Sequence, residues 1–175
     1  QLAFTRQLTW LAGRAQARLA ELRQAMPPPS ESVFEREQRE LLYDLELFLR
    51  FELERGGQSP VAFEVAFGSP GGVEAREQDL LEPLARAEPV EIRLGGRAIR
   101  LRGRIDRIDR FEQADRPDYE IIDYKTGGYF ASDYDGTFRG GRLLQHALYG
   151  LVATELLRTR QRDARVASGA YYFPS

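Results

Sequence analysis

Apolar residues recur every three to four positions through 2–25, "LAFTRQLTWLAGRAQARLAELRQA", and the pattern stops at "MPPPSES", where three prolines end any helix. The spacing predicts one amphipathic helix there. A second is predicted from Ser32 or Val33 to about Arg55, closed by "GGQSP". The period then changes to two. "VAFEVAF", 61–67, sets Val61, Phe63, Val65 and Phe67 on one side and Glu64 on the other, the alternation of a strand. A helical turn is expected around "EQDLLEPLARA", 77–87. "VEIRL" and "AIRLRGRIDRIDRF" follow as two strands joined at Gly95–Gly96, and "YEIIDYKTG" is a further strand beyond the turn-like "EQADRPD". "GYFASDYDGTFRGG", rich in glycine and aspartate, reads as a loop, "RLLQHALYGLVATELLRT" as a helix and "RVASGAYYFP" as a last strand. Two helices, three or four strands, a helix and a strand predict an α/β domain in which helices pack on a mixed sheet.

With 175 residues, 42% of them hydrophobic and 30% charged, the chain is the size of one domain with a substantial core. Residues 1–57 form its helical N-terminal part and 60–175 its α/β part. A formal net charge of -2 gives no overall basic field, so a nucleic-acid partner has to meet a local patch. The absence of cysteine excludes disulfides, thiolate zinc sites and an iron–sulfur cluster within this segment. No stretch approaches the roughly 20 apolar residues a bilayer span needs, so the expectation is a cytoplasmic protein with no membrane partner. The start at Gln1 and the stop at "YYFPS" suggest a piece of a longer protein.

Arginine fills 24 of the 25 basic positions, and the one lysine, Lys125, stands two residues after Asp123 in "IIDYKTGG". In a strand the two side chains project together. Acid–x–base triplets recur elsewhere, as in Glu91 and Arg93, so the spacing alone decides little. The preceding strand adds weight. There Arg100, Arg102, Arg104 and Asp106 share one face while Ile99, Leu101 and Ile105 share the other. Paired as an antiparallel hairpin, the two strands bring Asp106 near Asp123, two carboxylates with an ammonium beside them.

Like charges that close repel, and a hard divalent cation, Mg²⁺ or Mn²⁺, relieves the repulsion and can activate a water against a phosphate oxygen. Lysine suits such a place better than arginine, because its compact ammonium approaches a single water or oxygen and its pKa is tunable. The bland alternative is an exposed ion pair on the outer face of a sheet. Glycines flanking "GRIDRID" and following Lys125 weigh against it, since they permit close approach of a substrate backbone.

The motifs "GRIDRID" (103–109), "IIDYKTG" (121–127) and "QHALY" (145–149) together resemble the PD-(D/E)XK nuclease superfamily, in particular its RecB-like branch, which includes nuclease domains of bacterial helicase-nucleases. The resemblance implies a restriction-endonuclease-like core with a central mixed sheet of four to five strands. It implies Asp106, Asp123 and Lys125 as the catalytic set, the two aspartates as ligands of Mg²⁺ or Mn²⁺, and Gln145 and Tyr149 as accessory residues, with Glu64 a further candidate. Arg100, Arg102 and Arg104 are the candidate DNA-binding residues, and Tyr129, Phe130 and Tyr134 could stack on bases. The function implied is a metal-dependent deoxyribonuclease, an exonuclease by preference, acting in DNA repair and recombination on single-stranded ends delivered by a helicase domain or subunit. One departure stands out. Members of the branch carry a metal-binding histidine before the first strand, whereas the only histidine here is His146; either it lies upstream of Gln1 or it has been lost, which leaves an inactive DNA-binding or docking module as the competing reading. Glu37 and Glu40 fit a solvated helix face better than a substitute site.

Overall fold

Three prolines at 27–29 separate the first two elements, helices α1 (Leu2–Ala25) and α2 (Glu31–Arg55), in a computed structural model that describes residues 2–68, 82–112, 116–125 and 144–173. α2 starts a residue earlier than its spacing suggests because Ser30 caps it, its hydroxyl accepting the Val33 N–H at 3.3 Å. The helices are joined by Arg23–Glu31 at 2.6 Å and by guanidinium groups over rings, Arg50 on Phe4 and Arg23 on Phe34. Neither helix has a buried residue. They form one compact unit ending at Gly56; Gly57–Phe173 form the other.

The second unit holds a four-stranded sheet of β1 (Gln58–Phe67), β4 (Gly103–Phe111), β5 (Asp118–Tyr124) and β6 (Arg165–Tyr172), in the order β1-β4-β5-β6. β1, β4 and β5 run antiparallel; β6 is parallel to β5, and the connection between them carries helix α3 (Gln145–Arg158). A separate ribbon pairs β2 (Val90–Leu94) with β3 (Arg97–Leu101). Its turn residues Gly95 and Gly96 have φ of 55° and 79°, the left-handed values a two-residue hairpin turn needs.

Two expectations about the strands change. Strict alternation along β1 does not hold: the register shifts between Pro60 and Ala62, so Ala62, Val65 and Phe67 are buried while Val61 and Phe63 are exposed. Proline has no N–H for the ladder, and β1 is an edge strand, where such an interruption is tolerated. The long strand expected over 98–111 breaks at Arg102, its first part joining the ribbon and its second the main sheet.

The core is made by Val65, Phe67, Ile105, Ile108 and Ile121 of the sheet with Val152, Ala153, Leu156 and Leu157 of α3. Each such side chain contributes about 1.5–3 kcal/mol by leaving water. The helical turn expected at 77–87 lies outside the described residues as far as 81; from Glu82 to Ala85 the chain makes a turn, closed by Ala85 N–H to Glu82 C=O at 2.9 Å. The whole of the 128–141 loop expectation, with Tyr129, Phe130 and Tyr134, also falls outside the described residues.

Candidate active site

The β4–β5 ladder runs from Arg110↔Tyr119 to Arg107↔Ile122, and the next step of the same register sets Asp106 opposite Asp123. There the backbone pairing gives way. Asp106 Oδ2 accepts the Tyr124 N–H at 2.9 Å, so a side chain takes over where a main-chain carbonyl would continue the ladder. On the other flank, Glu64 falls between the pairs Phe63↔Arg107 and Val65↔Ile105 and therefore also lies opposite Asp106. Glu64, Asp106 and Asp123 thus form a row across β1, β4 and β5. Glu64 has a φ of 50°, left-handed for a residue with a side chain, and its carboxylate is exposed and 3.3 Å from Arg104.

Asp123 is 9% exposed. Its Oδ1 accepts from Gln145 Nε2 at 3.0 Å; the enclosed Oδ2 is met by the Lys125 ammonium and by no neutral donor among the described residues. Lys125 Nζ in turn donates to Gln145 Oε1 at 3.4 Å. Gln145 therefore bridges acid and base from the first turn of α3, which has no side-chain cap of its own. Burial raises the Asp106 carboxyl above its ordinary pKa; the Tyr124 N–H opposes this, and the charges of Asp123 and Glu64 add to it. Partial burial disfavours the Lys125 ammonium. The hydrogen bond and charge of Asp123, helped by Tyr171 and Asp106, outweigh that and hold the lysine above its usual value.

The other residues singled out in the sequence scatter. Tyr149 packs edge-on against Phe67, with ring centroids 5.5 Å apart, and lies close over Gly103. A Cβ on Gly103 would collide with the Tyr149 hydroxyl and come within 2.9 Å of Phe67 Cζ. The glycine opening "GRID" thus makes room for the tyrosine that closes "QHALY", and not for a substrate backbone. The expected shared face of Arg100, Arg102, Arg104 and Asp106 is interrupted: Arg100 pairs in register with Glu91 in the ribbon, Arg102 is at the break, and only Arg104 is on β4 with Asp106. Nor is one face of β4 merely charged and the other packed. On the face opposite Asp106, Arg107 and Asp109 are both buried and joined twofold, Nε–Oδ1 at 2.6 Å and the second nitrogen to Oδ2 at 2.8 Å.

Sequence reasoning passed over that pair, and over Tyr171, whose hydroxyl lies 2.9 Å from His146 Nδ1 and whose ring faces Lys125. "RIDRID" carried a signal for the first, a charged doublet inside an apolar strand. Nothing marked the second, because the parallel pairing of β5 with β6 leaves no local trace.

Asp106 and Asp123 are the residues of this cluster that could hold a hard cation; among the described residues no group of three or more His, Cys, Asp or Glu side chains is placed to hold a metal. The donor chemistry fits even so. A buried carboxylate oxygen met by the Lys125 ammonium and by no neutral donor among the described residues, beside a second carboxyl driven towards protonation, is chemistry that an oxygen-seeking ion completing its shell with water would suit.

The sequence profile of the PD-(D/E)XK nuclease superfamily matches residues 3–175. Among curated proteins, the chain is similar to an ATP-dependent helicase/deoxyribonuclease subunit of Symbiobacterium thermophilum, 36% identical over 130 residues, covering 73% of the chain and 10% of that protein. It is 36% identical over 76 residues to the protein of the same name from Clostridium novyi, 43% of the chain and 6% of that protein. Against the one from Staphylococcus carnosus it is 30% identical over 115 residues, 65% of the chain and 9% of that protein. The chain thus spans a tenth or less of the length of these relatives.

Proposed function

The chain belongs to the PD-(D/E)XK nuclease superfamily, and from that premise we propose that it is a metal-dependent deoxyribonuclease domain working alongside a helicase in DNA repair. The observation that carries the reading is the cluster at the end of β5: Asp106 opposite Asp123, Lys125 on Asp123, and Gln145 tying acid to base. A divalent cation bound by Asp106 and Asp123, Mg²⁺ or Mn²⁺, supplies Lewis-acid stabilisation of phosphate charge and acidifies an attacking water.

The chain's own residues do the rest. Lys125, paired to Asp123 and reached by Gln145, positions or deprotonates the attacking water. Gln145 fixes the rotamers of both partners, which keeps the reacting groups in register. Arg104 and Arg102 flank the cluster as phosphate contacts, Arg102 exposed and Arg104 held by Glu64. Single-stranded ends and exonucleolytic action fit a domain fed by a motor, the role suggested by relatives whose names pair a helicase with a deoxyribonuclease.

The test is degradation of end-labelled single-stranded DNA with Mg²⁺ or Mn²⁺. Lys125→Ala and Asp123→Asn should each lower kcat by about 10²-fold or more; undiminished cleavage in either variant sinks the proposal. The lack of a third acidic or histidine ligand among the described residues favours a second reading, a catalytically silent DNA-binding or docking module. Calorimetric titration with Mn²⁺ separates the two: the nuclease reading expects a site that Asp106→Ala abolishes, the silent module no heat.

A further inference from the structure

Lys125 has four methylenes and follows the last residue of β5, so something must hold its ammonium where chemistry is to happen; an unrestrained lysine samples many rotamers. Asp123 and Gln145 hold it from one direction. From another, its Nζ lies 5.2 Å from the centroid of the Tyr171 ring, in range for attraction between a cation and an aromatic face. The strand register makes this possible: Asp123↔Tyr171 is a pair of the β5–β6 ladder, and the Lys125 N–H continues the attachment by donating to the Tyr172 carbonyl at 2.8 Å.

Tyr171 is itself held. Its hydroxyl is 2.9 Å from His146 Nδ1, and the two rings meet edge to face with centroids 4.9 Å apart. His146 follows Gln145 on α3. Two successive residues of one helical turn therefore reach the same lysine, Gln145 directly and His146 through the tyrosine.

We propose that Tyr171, oriented by His146, is a positioning residue for Lys125, its ring fixing the place of the ammonium beside Asp123. The idea rests on the nuclease reading for its purpose, but its geometry stands apart from that reading and is tested apart from it. The chain's one lysine makes this practical: ¹³C,¹⁵N-lysine labels a single side chain. Its ε-methylene protons, on the carbon bonded to the Nζ that lies over the ring, should resonate upfield of free lysine. Tyr171→Leu should return them to the free value, Tyr171→Phe should keep the upfield position, and His146→Leu should broaden or partly relax it.

In the cleavage assay Tyr171→Leu should lower kcat about tenfold with KM within about twofold, and Tyr171→Phe should restore most of the rate, as loss of one contact of this kind and its rescue require. A lysine signal that ignores Tyr171→Leu, in a variant whose remaining amide spectrum is native, overturns the inference whether or not the chain cuts DNA. Full kcat in that variant overturns it as well. If neither wild type nor variants cleave, the nuclease reading falls while the resonance still decides this one.

Discussion

Arg107 and Asp109 carry opposite charges into a place where water is almost wholly excluded, at 3% and 0% exposure. Such a pair survives because its geometry is twofold and because Arg107 has further partners, the Tyr124 hydroxyl at 3.2 Å and the Phe63 ring. Removing one member leaves the other charge buried without its twofold partner. Arg107→Met should therefore lower unfolding free energy by about 3–5 kcal/mol in urea titration, whereas the double change Arg107→Met with Asp109→Leu should recover much of it. A single variant as stable as the parent would show that the pair is not desolvated. Tyr124, next to Lys125, links this buried pair to the candidate site: its hydroxyl meets Arg107 on one face of the sheet while its N–H holds Asp106.

Gly103 and Tyr149 join two elements. β4 can approach α3 only because residue 103 has no side chain, and the same strand then delivers Asp106 a short way further along the pleat. Gly103→Ala should cost about 1–3 kcal/mol, read as a lower thermal midpoint, through displacement of Tyr149; pairing it with Tyr149→Ala should remove most of that penalty. At the start of the β5–β6 ladder, Asp118 pairs in register with Arg165 and is bonded twice to it, at 2.8 and 3.2 Å, with Arg116 at 3.2 Å. The Arg165 hydrogen bond lowers the Asp118 pKa; desolvation opposes it, and the charges of Arg165 and Arg116 add to the lowering. The native state thus binds this proton less readily than the unfolded chain. The stability so gained is present above the ordinary carboxylate pKa and is lost as pH falls through the lowered native value. Asp118→Asn should accordingly lower the thermal midpoint at pH 7, and the gap from wild type should close on acidification through the carboxylate range; a gap independent of pH would refute the assignment.

For the molecule as a whole, the division of the core sets the expectation. All the buried apolar residues described lie between Ala62 and Tyr172, and α1 and α2 bury none. A chain beginning at Gly57 should therefore unfold cooperatively on its own, with a midpoint within a few degrees of the 175-residue chain; loss of a cooperative transition would mean that the helical unit completes the core.

The sequence by itself determined what depends on local periodicity and chemical type. The two helices and their proline break, the Gly95–Gly96 turn, the order of the elements, and Asp106, Asp123 and Lys125 as a candidate set were all legible, because a period of 3.6 or 2 and a charge inside an apolar run are properties of neighbouring residues. It misread what depends on distant partners: the bulge at Pro60, the break at Arg102 and the two-sided burial of β4. Only the tertiary structure decided that Gly103 serves Tyr149, that Gln145 bridges Asp123 and Lys125, and that Tyr171 faces the lysine. Each of these is a contact between residues 20 or more positions apart, brought together by strand register and by a helix crossing the sheet, which no spacing along the chain encodes.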